Sequence, residues 1–139
     1  MDGGQGQEHP APGTSLIVYR PIGYVENAFD QPVAPEVLLA ATSRIVLDPA
    51  LVEGLAGIEP GQRLMVVFHF HRAGGYKLQQ HPRGDPGRPR QGVFTLRSPH
   101  RPNPIGVTVV EVLAVQGHIL TVRGLDAING TPVLDLKAE

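Results

Sequence analysis

Read for alternation of apolar and polar positions, the chain divides into short strands separated by turns. Leu16–Val25 is rich in apolar and β-branched residues, with Pro21 and Gly23 marking a break or bulge. Asn27–Glu36, which holds Pro32 and Pro35, reads as an irregular loop, and Ser43–Leu47 predicts a second strand. Asp48 then stands as an N-cap before Pro49. Leu51, Val52 and Leu55 fall at helical spacing and Gly57 supplies a stop, so one short helix is expected there. Arg63–Phe70 is an apolar run fit for the core of a closed sheet.

Residues 73–91 (AGGYKLQQHPRGDPGRPRQ) predict a long polar loop with a short strand at Tyr76–Gln79. Loops of that length in compact domains are usually functional or disordered. Val93–Leu96, Val107–Val115, Ile119–Arg123 and Val133–Leu136 complete the strands, and Val115-Gln-Gly-His-Ile119 reads as a hairpin turn. Seven or eight short strands with no internal repeat predict an all-β fold. The expected architecture is a single small β-barrel over 15–139 with one short helix and a long basic loop. A flexible tail at 1–14 precedes it, where Gly, Gln and Pro offer nothing to bury.

Composition narrows the class. Seventeen glycines and fourteen prolines among 139 residues mean a chain that turns often. There is no cysteine, hence no disulfide framework and no thiol chemistry. The start lacks a basic and an apolar region, and no apolar run is long enough to span a bilayer. A soluble, cytoplasmic protein with no membrane partner is expected. The net charge of −1 conceals an asymmetry: seven of the twelve basic residues lie between Arg72 and Arg101, where Asp85 is the sole acid.

Three segments can carry chemistry. In Arg97–Gly106 (RSPHRPNPIG) three prolines and a glycine stiffen the backbone around Arg97, His100, Arg101 and Asn103. Such a loop presents convergent polar groups with little ordering entropy left to lose on binding; the alternative is a plain proline-rich turn. In Leu125–Lys137 (LDAINGTPVLDLK) Asn129-Gly130 signals a tight turn flanked by Asp126 and Asp135, either ligand groups or backbone caps. The third is the pair His69 and His71, two apart on a strand and so on one face. A His-x-His metalloenzyme is the reading it raises, but no acid follows until Asp85 and no metal is expected. Gly3, Gly4 and Gly6 follow no strand, which excludes a Rossmann fingerprint.

Gly92–Gly106 (GVFTLRSPHRPNPIG) followed by LDAINGTPVLDLK resembles the paired signature of the TsaA-like family, also called TrmO or YaeB. Ile22–Val25 (IGYV) and His81–Asp85 (HPRGD) match it too, so the resemblance runs from about Ile22 to Lys137. It implies a β-barrel methyltransferase that uses S-adenosyl-L-methionine to methylate N6 of threonylcarbamoyladenosine beside the tRNA anticodon. It also implies a homodimer with the pocket close to the subunit interface. The donor pocket would fall on His71, Arg72, Arg97, Ser98, His100, Arg101, Asn103, Val107, Leu125, Asp126, Ala127 and Ile128. Lys77, Arg83, Arg88 and Arg90, in the basic loop, are the expected RNA contacts. The family reads Asp-Gly-Thr-Pro where this chain has Asn129-Gly130-Thr131-Pro132, and its Asp-Ile-Lys-Pro-Tyr is here Asp135-Leu136-Lys137-Ala138-Glu139. Fuller members carry a further C-terminal domain. These departures motivate an alternative: a non-catalytic barrel that binds S-adenosylmethionine or RNA.

Overall fold

In a computed structural model of the chain, which describes residues 15–139, six strands close an antiparallel barrel. The barrel strands are β1 (Gly23–Glu26), β2 (Thr42–Leu47), β3 (Arg63–His69), β6 (Ile105–Gln116), β7 (Ile119–Arg123) and β8 (Pro132–Ala138). Their order around the barrel is β1-β2-β7-β6-β3-β8, and β8 closes on β1. Two short strands, β4 (Gln79–Gln80) and β5 (Gln91–Gly92), form a separate ladder. The all-β barrel expectation therefore holds, with eight strands shared between a six-stranded barrel and this small flap. The expected tail at 1–14 lies outside the described residues.

Period-two patterning builds the core. Ser43, Ile45 and Leu47 of β2, Leu64, Val66 and Phe68 of β3, and Leu120 and Val122 of β7 point inward and are buried. Leu125, Ala127 and Leu55 join the same cluster. About eight strands leave a barrel interior that side chains just fill, so six strands leave no room for a ligand. Any binding site must lie outside the barrel wall.

Strand β6 is the longest element. Its first part pairs with β3 and its last part with β7, and a bulge at Leu113 absorbs the bend between them. A second bulge at Leu134 lets β8 serve both β1 and β3. Gly117, at φ 61°, forms the expected hairpin turn between β6 and β7.

Three local expectations are corrected. Of the strand expected over Leu16–Val25 only the part from Gly23 forms. Ile22 bonds Val133 O and Asp48 N–H at the barrel's edge, but Leu16–Tyr19 are 71–92% exposed and in no strand, so β-propensity there finds no neighbouring strand. Val93–Thr95 is a 3₁₀ turn instead of a strand: the Thr95 hydroxyl donates to the Gly92 carbonyl (2.7 Å) and Leu96 N–H to Val93 O. Such local bonds compete with a ladder. Residues 27–36 do not run wholly as loop, because Pro35 starts helix α1 (Pro35–Ala40) at the position where its missing N–H costs nothing. The helix predicted after Asp48 is present as a 3₁₀ segment, Pro49–Leu55, with the Asp48 carboxylate accepting from Ala50 N–H at 2.9 Å.

Candidate functional site

A cavity of about 1280 Å³ lies at the start of β6, beside the end of β3. Its floor is Phe68, Phe70 and Ile105–Thr108, its walls are the 95–101 loop and the basic flap, and Leu39 of α1 and Asp126 border it. Gly106 makes the floor possible. A Cβ there would stand 2.6 Å from Phe68 Cζ and 2.7 Å from Phe70 Cζ, and these two rings pack edge to face at 5.2 Å.

The 97–104 loop is held by its own side chains as well as by its prolines. Arg101 Nη1 donates to the carbonyls of Leu96 (2.9 Å) and Ser98 (3.2 Å), and Ser98 Oγ accepts from His100 N–H (3.1 Å). Arg97 Nη1 donates to Val107 O at 3.0 Å, tying the loop to β6, and the rest of its fork has no partner among the described residues. Opposite it, Asp126 is half-buried and accepts no hydrogen bond from the described residues. Burial raises its carboxyl above the ordinary value, and the Arg97 charge partly offsets the rise.

The flap is more organised than a free polar loop. The β4–β5 ladder closes it, His81 Nδ1 meets Arg88 O at 2.7 Å, and Asp85 Oδ1 accepts from Gly87 N–H at 2.9 Å. Arg83 takes the left-handed conformation at φ 56°, the one non-glycine among the described residues to do so. It reaches Glu36 of α1 at 3.7 Å, an exposed pair of little energetic weight.

The structure separates the expected site residues. Arg97, Ser98, His100, Arg101, Val107 and Asp126 line the cavity together with Lys77, Arg83, Arg88 and Arg90. His71 and Arg72 stand at a separate polar corner. There Arg72 donates to Asp30 O (3.1 Å), and His71 Nε2 lies 3.8 Å from where a Gly130 Cβ would be. Burial, then the charges of Arg72 and His69, lower the His71 pKa. Leu125 and Ala127 turn their side chains into the barrel core, so only their backbone can face a ligand. Asn103 sits on an exposed turn outside the lining, its carbonyl accepting from Ile105 N–H at 2.7 Å. Asp135 is held by Lys137 at 2.7 Å, and that bond lowers its pKa. Among the described residues no three His, Cys, Asp or Glu side chains converge as a metal site.

Asn27 belongs to no motif in the sequence, yet it organises the polar corner. Its amide donates to Ser43 Oγ (3.1 Å) and Ala127 O (2.8 Å), while its own N–H donates to Asn129 Oδ1 (3.1 Å). Asn129 Nδ2 then donates to Asp30 Oδ1 at 3.0 Å. An aspartate at position 129 could accept from Asn27 but would face Asp30 as a like charge. The Asn129 departure from the family pattern thus matches the carboxylate beside it.

Six cationic side chains and one carboxylate border the cavity, a balance suited to an anionic ligand. The family model described as the tRNA-methyltransferase O N-terminal domain matches residues 23–138. The chain is 37% identical over 126 residues to a probable S-adenosyl-L-methionine-binding protein of Pyrococcus abyssi, covering 88% of this chain and 67% of that one. It is 35% identical over 141 residues to the Homo sapiens tRNA (adenine(37)-N6)-methyltransferase, covering 92% of this chain and 31% of that one. The crystal structure of TrmO from Pseudomonas aeruginosa superposes with a TM-score of 0.69 at 32% identity, covering 90% of this chain and 56% of that one. The chain thus spans about a third of the mammalian relative and little more than half of the solved bacterial protein.

Proposed function

The chain belongs to the tRNA-methyltransferase O N-terminal-domain family, and from that premise we propose that it is an S-adenosylmethionine-dependent methyltransferase acting on tRNA. The acceptor we assign is N6 of the threonylcarbamoyladenosine beside the anticodon. One observation carries the reading: a cavity with a rigid polar loop on one side and a flap of four basic residues on the other. Pockets for small ligands run to about 300–1,000 Å³, and 1280 Å³ exceeds that range. The space suits a donor and an acceptor nucleotide together.

The residues fit such a donor. The unpartnered part of the Arg97 fork can pair with its carboxylate, and guanidinium–carboxylate bonds are among the stronger hydrogen bonds. Asp126, with no partner among the described residues, suits its ribose hydroxyls or its amino group. The backbone of Leu125–Ile128 and the corner formed by His71 and Arg72 extend the donor site towards β8. When bound, the donor supplies an electrophilic methyl group on a sulfonium. The protein's part is to align the acceptor nitrogen in line with it and to exclude water, and alignment contributes at most about 7–11 kcal/mol. No metal is needed for this chemistry.

Lys77, Arg83, Arg88 and Arg90 are assigned to RNA phosphates. A homodimer is part of the same reading, supported by the exposed apolar run Leu16–Tyr19. The test is transfer of a radiolabelled methyl group from donor to bulk tRNA, with RNA affinity followed against salt. Wild-type affinity should fall about a thousandfold between 50 and 200 mM salt if six phosphates are contacted. Changing Arg83, Arg88 and Arg90 together to Ala should flatten that dependence and leave donor binding intact. Donor binding without transfer to any RNA would favour the non-catalytic reading. An unchanged salt slope would move the RNA surface elsewhere.

A further inference from the structure

Beside the large cavity lies a second, of about 440 Å³, lined by Gly74, Gly75, Tyr76, Lys77, Gln80 and His100. Lys77, Gln80 and His100 border the large cavity as well, so the two spaces share a wall. Gln80 fixes that wall: its side-chain amide donates to the carbonyl oxygens of both Lys77 and His100. Tyr76 leaves 54% of its surface exposed, and its hydroxyl has no partner among the described residues. Before it come two glycines at which a Cβ would meet nothing within 4 Å, with Gly75 at φ 71°. The result is an open slot with bare backbone, one aromatic ring and a cation at its border with the main site.

We infer that this slot receives the nucleobase adjacent to the target nucleotide, stacked on Tyr76, with the phosphate that joins the two nucleotides against Lys77. The inference rests on the reading that RNA is the substrate of the large cavity. A phosphodiester linking a base in one space to a base in the other must cross their common wall, and Lys77 is the cation on that wall. Single-stranded RNA loops are recognised largely through splayed bases stacked on aromatic side chains. Every base has a π-face, so a tyrosine there holds the strand without demanding a sequence. A protein surface docked over Tyr76 would have to bury the Lys77 charge, whereas a phosphate neutralises it.

The probe is a single-stranded anticodon-loop RNA carrying 2-aminopurine immediately 5′ or 3′ of the target adenosine, bound by the full chain with donor present. Quenching is expected at one of the two positions. Tyr76→Ala should abolish it and lower kcat/KM for RNA by about five- to a hundredfold. Tyr76→Phe should keep both, and donor affinity and melting midpoint should not move in either variant. In wild type an abasic residue at the quenched position should cost as much as Tyr76→Ala, with no further loss when the two are combined. The inference is overturned if Tyr76→Ala methylates RNA like wild type, or if neither position is quenched. It is equally overturned if the variant loses only self-association in sedimentation while its RNA affinity is kept. A wild-type protein that binds neither donor nor RNA would instead remove the reading of the whole site, and this slot with it.

Discussion

Gly106→Ala tests how tightly the cavity floor is bound to the barrel core. The added Cβ would stand 2.6 and 2.7 Å from two atoms of Phe68 and 2.7 Å from Phe70 Cζ. Carbon atoms in contact rest at about 3.5–4.0 Å, so each approach is short by roughly 1 Å. Neither ring yields cheaply. Phe68 is 1% exposed inside the barrel, and Phe70 packs edge-on against it. Moving the backbone away would disturb the β3–β6 ladder, in which Gly106 is registered against Phe68. Overpacking of this kind costs about 1–3 kcal/mol. For a domain of this size that corresponds to a fall in melting midpoint of roughly 3–15 °C by scanning calorimetry. Phe68, Phe70 and Gly106 also line the cavity, so donor affinity should fall in parallel. Combining Gly106→Ala with Phe70→Leu, which removes one of the two obstructing rings, should recover part of the midpoint. A single variant melting within about 1 °C of wild type would refute the packing argument and free the floor to move.

Arg97→Ala should weaken S-adenosylmethionine binding by roughly 1.5–3 kcal/mol, read by calorimetry as a tenfold to hundredfold rise in Kd. Wild-type affinity in that variant would remove Arg97 from the donor pocket. Asp126→Asn should separate stability from binding. Because burial raises the folded carboxyl above its ordinary value of 3.8, folding takes up a proton in that interval, and stability rises as pH falls through it. The variant, with no charge to bury, should melt above wild type at neutral and alkaline pH. The difference should vanish as pH approaches 3.8, and donor binding should be weaker throughout. A variant less stable than wild type at alkaline pH would show that Asp126 is held by a favourable partner.

Where the sequence states the barrel clearly, one rule suffices: side chains alternate because one face is buried. The pattern bounds Ile119–Arg123 correctly because both of its neighbours, β2 and β6, are present along its whole length. Leu16–Tyr19 carries the same β-branched signal and forms no strand, since propensity cannot show whether a partner exists. Val93–Leu96 departs from a strand for a different reason. Only Val93 is buried while Phe94 is 77% exposed, and the Thr95 hydroxyl turns the chain locally. A four-residue apolar run does not distinguish these outcomes.

The site divides along the same line. Its proline-stiffened wall was legible because proline restricts the backbone wherever it occurs, so the rigidity of Pro99, Pro102 and Pro104 is a property of the residues themselves. The polar corner was not, because Asn27 is rigid only through bonds to Ser43, Ala127 and Asn129, the last two about a hundred positions away. The barrel makes both necessary. A six-stranded interior is filled by side chains, so ligand chemistry falls to the loops around it. A loop can hold a geometry through its own covalent restriction or through distant partners. Only the first kind is written in consecutive residues.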